Sequence, residues 1–217
     1  MLKDKRILMA ILLITLVSLA CAMPFGNSSN TTKDSSILFE DDFSKTTSGW
    51  DHFNQTEGIT DYTDGVYRIY VNAAQVDYWA NPGLNFTDAI VSVEATKVAG
   101  PDDNDFGVIC RYKDQSNFYF FLASSDGFYA IGRMIEGSQE LLGEEQLLPT
   151  DAIVKGNSTN TIEAACVGNQ LSLTINGQKI STVEDSSFSE GDVGLIAGTY
   201  DTLGTDIHFD NFKVTKP

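Results

Sequence analysis

Apolar and polar positions alternate with a period of two along most of the chain beyond residue 36. The clearest stretch runs from Asp105 to Arg133. Phe106, Val108, Cys110 and Tyr112 share one parity, and K-D-Q-S-N at 113–117 is turn chemistry. Phe118 to Leu122 is an unbroken apolar run, which predicts a strand covered on both faces and lying inside a sheet. Ser125-Asp126-Gly127 turns the chain again, and Phe128 to Met134 returns. A meander with a doubly covered middle strand needs further layers to cover it.

The rest of the chain has the same texture. Ile37-Leu38-Phe39 opens it, and Asp64-Gly65 launches a strand over Val66–Val71. Val76–Ala80 and Ala89–Val98 read as strands, with Gly100–Asp105 as an acidic loop between the second of these and the meander. Gln139–Leu148 reads as one more strand, and Pro149–Asn160 as loop. Thr161–Val167 and Gln170–Asn176 form a hairpin, and Asn176-Gly177 is the strongest hairpin signal in the sequence. Asp192–Thr199 and Asp206–Val214 finish the pattern. The spacing predicts an all-β, two-sheet antiparallel sandwich of about thirteen strands with no helix.

The N-terminus differs. Lys3, Lys5 and Arg6 precede an apolar run from Ile7 to Val17, shorter than the roughly 20 residues that cross a bilayer. Residues 1–20 are therefore read as an export signal. Ser18-Leu19-Ala20-Cys21 resembles a bacterial lipobox, which implies lipidation of Cys21. The other reading is cleavage at the small residues Ala20 and Ala22, giving a secreted protein. Residues 21–36 are polar and suit a flexible tether, leaving 37–217 as the folded domain.

A formal charge of −16 repels phosphate groups, which excludes nucleic acid and anionic lipid headgroups as direct ligands. No Cys/His cluster has metal-ligand spacing, so no zinc site is expected. Cys110 and Cys166 both fall mid-strand on the apolar parity. In an exported chain such a pair predicts a disulfide closing a loop of about 55 residues, worth roughly 4 kcal/mol; two buried thiols in contact is the alternative.

Several motifs add a resemblance. They are D-D-F at 41–43, G-W at 49–50, F-G-V-I-C-R-Y at 106–112, N-F-Y-F-F at 117–121, C-x-G-N-x-L-x-L-x-I-N-G at 166–177 and F-D-N-F-x-V at 209–214. Residues 37–217 thereby resemble the concanavalin A-like lectin/glucanase superfamily, near the domains of bacterial lipoproteins and the 3-keto-disaccharide hydrolase-like group. The resemblance implies a jelly roll with one concave and one convex sheet, the concave face holding sugar where sugar is bound. It also implies a structural calcium tying the chain ends, for which Asp41 and Asp42 (with Glu40) and Asp210 are the candidates.

The E-x-D-x-E spacing that lets two carboxylates flank one glycosidic bond in glucanases of this superfamily is absent. Sugar recognition needs aromatic faces with polar groups beside them. Candidates are Trp79, Tyr78, Arg111, Tyr119 and Arg133, with Tyr62 and Tyr70 beside them. Arg111 and Tyr119 are expected on an outer face by parity, and Trp50 in the core. The expected function is non-catalytic glycan recognition by a surface-anchored lipoprotein. The alternatives are a hydrolase of sugar derivatives and a protein-adhesion module.

Overall fold

The computed structural model describes residues 36–217. The export signal, Cys21 and the tether up to residue 35 lie outside the described residues. Among the described residues every regular element is a strand, and there are sixteen rather than about thirteen. They are β1 (Ile37–Asp41), β2 (Phe53–Asn54), β3 (Gly58–Thr63), β4 (Val66–Val71), β5 (Val76–Ala80), β6 (Ala89–Ala99), β7 (Asn104–Asp114) and β8 (Asn117–Ala123). There follow β9 (Phe128–Ile135), β10 (Ser138–Leu141), β11 (Leu148–Pro149), β12 (Thr159–Val167), β13 (Gln170–Ile175), β14 (Gln178–Glu184), β15 (Asp192–Thr199) and β16 (Thr205–Thr215).

The extra strands have simple causes. β2 and β11 are two-residue pairings, too short to leave an alternation in the sequence. The single strand expected over Gln139–Leu148 is divided into β10 and β11 by an intervening loop.

All pairings are antiparallel. The first sheet runs β14-β13-β12-β6-β16-β4-β3-β2, with β1 also paired to β16. The second runs β10-β9-β8-β7-β15-β5, with β11 also on β9. The terminal strands are neighbours, Asp41 lying opposite Phe212.

The core lies between the sheets. β6 shows the rule: Val91, Val93 and Ala95 point inward while Ser92, Glu94 and Thr96 do not. Ile162, Ala164, Leu171, Leu173 and Phe209 join them from the first sheet. The second sheet contributes Phe106, Val108, Tyr119, Phe121 and Leu195. β8 is covered on both faces, as its apolar run predicts. Phe118, Phe120 and Leu122 point the other way and form a second apolar cluster with Ile109 and Ile196.

Cys110 of β7 and Cys166 of β12 are disulfide-bonded, so the bond ties one sheet to the other. Trp50 is buried at one end of the core, edge-on to Phe212 at 4.9 Å and to Phe43 at 5.3 Å. The β13–β14 hairpin has φ of 51° at Asn176 and 77° at Gly177, the positive pair that a type I′ turn requires.

Candidate functional site

Strand alternation decides what the outer face of the second sheet presents. β5 places Tyr78 and Ala80 toward the core, which leaves Asp77 and Trp79 on the other side. On the neighbouring strand, Gly198 lies opposite Asp77 on one flank and Asp105 on the other. A Cβ at Gly198 would collide with the Asp77 carboxylate and lie 2.8 and 2.9 Å from the two Asp105 carboxylate oxygens. The missing side chain is what lets two carboxyl groups from β5 and β7 share the space above β15.

This pair is electrostatically unusual. Asp105 is 3% exposed, and its Oδ1 has no hydrogen-bond partner. Burial pushes the Asp77 carboxyl up to about 6. Burial, and then the Asp77 charge, push Asp105 well above the ordinary carboxylate range. Tyr200, just past β15, is raised by burial and by the charges of Asp105 and Asp77, so it stays a protonated phenol. Beside the pair, Trp79 packs on Phe118 at 5.4 Å, and Phe118 on Tyr112 at 5.5 Å. One corner of an otherwise apolar face therefore carries two carboxyl groups, a phenol and an indole.

A pH dependence follows. Both carboxyls hold protons more tightly in the folded chain than their unfolded value of 3.8. Their contribution to stability is complete below about pH 4 and is lost as pH rises through about 6 and beyond. Asp105→Asn should remove much of that loss and raise the unfolding free energy at pH 8 relative to wild type. Urea unfolding from pH 4.5 to 8 measures it. An Asp105→Asn protein with the wild-type pH slope would contradict the assignment.

The residues expected from the sequence to meet a ligand are scattered. Trp79 is on the outer face. Tyr78 points inward and stacks on Phe53 at 5.1 Å. Tyr62 belongs to the Trp50 end of the core, and Tyr70 lies in the first sheet beneath the Arg68 guanidinium.

The expectation of outward parity fails for Arg111 and Tyr119. Arg111 has φ 53° at a register shift of β7, and this bulge breaks the alternation that would have turned it outward. Its side chain is 2% exposed and donates to Thr87 O (3.1 Å), Gly168 O (2.8 Å), Phe188 O (2.9 Å) and Asp88 Oδ1 (3.1 Å). Tyr119 faces the core because it shares parity with Phe121, and its hydroxyl donates to Asp185 Oδ1 at 2.5 Å. Arg133 binds the same Asp185 at 2.6 Å and Glu140 at 2.7 Å. Burial opposes ionisation of Asp185, but hydrogen bonds from Tyr119 and Ser187 and the Arg133 charge hold it below its ordinary range. These three residues pin loops.

The calcium candidates do not fit the ion. Asp41 is spent on two N–H donors, Phe43 N and Trp50 Nε1, each at 2.9 Å. Asp42 takes Ser44 N and Oγ, and Asp210 takes Asn211 N. Asp41 and Asp42 lie in a crevice that Lys45 and Lys213 also line. Among the described residues no three Asp, Glu, His or Cys side chains converge as a metal site would require.

Asp77 and Asp105 escape a reading by motif because they are 28 positions apart and Asp105 looks like the last residue of an acidic loop. The available signal is Asp77 itself, the one charge within V-D-Y-W-A.

No protein-family model matches the chain, and no curated protein matches it. Solved structures resemble it in fold. The carbohydrate-binding module CBM66 from Bacillus subtilis aligns with a TM-score of 0.63 at 18% identity, over 78% of this chain and 96% of that one. A Bacillus subtilis protein of unknown function with a galectin-like fold gives 0.61 at 12% identity, over 85% and 97%. The Bacillus licheniformis β-glucanase gives 0.57 at 9% identity, over 85% and 100%. The chain thus has the fold of a two-sheet antiparallel jelly-roll sandwich.

Proposed function

We propose that the outer face of the second sheet binds a neutral glycan without cleaving it. The observation that carries this reading is the part-exposed pair of Trp79 and Asp77 on this face, an aromatic ring beside a carboxyl group. The Asp77 carboxyl offers a hydrogen-bond partner to sugar hydroxyls. Trp79, two residues from Asp77 on the same face, offers a ring on which sugar C–H groups stack. The carboxylates and the −16 charge disfavour uronic or sulfated glycans. The likeness in fold to a carbohydrate-binding module supports the same reading.

The test is retention of the protein on a panel of immobilised neutral polysaccharides, including fructans, glucans, galactans and mannans. Trp79→Ala or Asp77→Ala should weaken binding to a retained member at least tenfold. Binding to none of them, or binding that both variants leave intact, would refute the proposal.

A hydrolase of sugar derivatives is the second reading. It is favoured by two facing carboxyls whose proton affinities are held apart, the arrangement that divides acid and base roles. Release of reducing ends that Asp105→Asn abolishes would decide for it.

The placement at the cell surface rests on residues 1–21. Cys21→Ser should move the protein from the membrane to the soluble fraction. A mature N-terminus beyond Cys21 would exclude the lipid anchor.

A further inference from the structure

At the opposite edge of the second sheet from β5, where β9 meets β14 of the first sheet, lies a crevice of about 260 Å³. The chain creates it by leaving the sheet. β10 ends at Leu141, Leu142 N donates to Ile131 O at 2.8 Å, and pairing resumes only where Leu148 meets Tyr129. The loop over 142–147 stands away from β9, and Ser181–Val183 of β14 forms the facing wall. The floor is apolar: Tyr129, Leu142 and Val183 also pack against the core. The rim is polar and consists of Glu144, Gln146, Ser181 and Thr182. The hydrogen bonds found among the described residues use none of these four side chains, although they engage Asp185 and Arg133 nearby.

The geometry points to a second saccharide site in this crevice, separate from the carboxylate pair and sized for one neutral sugar ring. A carboxylate, an amide and two hydroxyls supply acceptors and donors together, which a ligand with several hydroxyl groups needs. An aromatic and aliphatic floor accepts its C–H face. The volume lies just below the roughly 300–1,000 Å³ of pockets that enclose larger ligands, so a ring fits and a chain does not. Glu144 on the rim, with Glu145 next to it in sequence, repels anionic sugars.

This site stands or falls independently of the first. The test is a titration of the isotopically labelled full chain with glucose, galactose, mannose and fructose, followed by amide chemical shifts. At least one sugar should shift Gly143 and Thr182 at millimolar concentration. Thr182 is exposed on an edge strand, so Thr182→Trp should fill the crevice without touching the core and weaken that binding at least tenfold. Gln146→Ala should weaken it about threefold, and Trp79→Ala should leave it unchanged. The site is refuted if no sugar shifts these amides, if the shift survives Thr182→Trp, or if only an extended peptide pairing with the β14 edge produces it.

Discussion

Replacing Arg111 by alanine is expected to lower the unfolding free energy by about 3 kcal/mol, although its place in the sequence suggests a surface residue. The guanidinium holds carbonyls from three separate loops, at Thr87, Gly168 and Phe188, and adds Asp88. Phe188 is buried, so water reaches its carbonyl poorly once the donor is gone. Each stranded buried acceptor costs about 1–3 kcal/mol, and the stem also leaves a cavity. Lysine should recover less than half of the loss, because one ammonium cannot reproduce a planar fork that reaches three carbonyls. The readout is the urea midpoint at constant slope. A shift in Arg111→Ala worth under 1 kcal/mol would show that the loops hold themselves.

Removing the Cys110–Cys166 bond is the other large effect. The two residues are 56 positions apart, and the bond joins β7 of one sheet to β12 of the other. In the chain-entropy model a loop of this length restricts the unfolded chain by roughly 4 kcal/mol. Both residues are only 1% exposed, so a reductant reaches the sulfurs chiefly when the chain opens. Cys110→Ala with Cys166→Ala, or unfolding in dithiothreitol, should lower the urea midpoint accordingly. An equal midpoint with and without reductant would mean that the bond constrains nothing.

Much of the fold was legible because period-two alternation and turn chemistry are local signals. Asn176-Gly177, the doubly covered β8 and the facing parity of Cys110 and Cys166 could all be read directly. β2 and β11 could not, since a pairing of two residues leaves no period. The candidate site was legible only at Trp79. Arg111 and Tyr119 were placed on the wrong face for different reasons. A non-glycine residue with φ 53° reverses the parity around Arg111, and no sequence pattern announces it. For Tyr119, a strand apolar on both faces cannot say which face meets the core. The Asp77–Asp105 pair depends on three strands being adjacent in the order β5-β15-β7, which is a long-range fact. The local signals for it are Asp77, a charge in a short apolar strand, and Gly198, whose missing side chain leaves room above β15.

The most direct test of glycan binding on this face is an NMR titration with a neutral oligosaccharide that the protein retains. The Trp79 indole N–H and the Gly198 amide should shift most. The Trp50 indole, buried on Asp41, should stay still. Shifts confined to the first sheet around Tyr70, with Trp79 and Gly198 unmoved, would contradict the account.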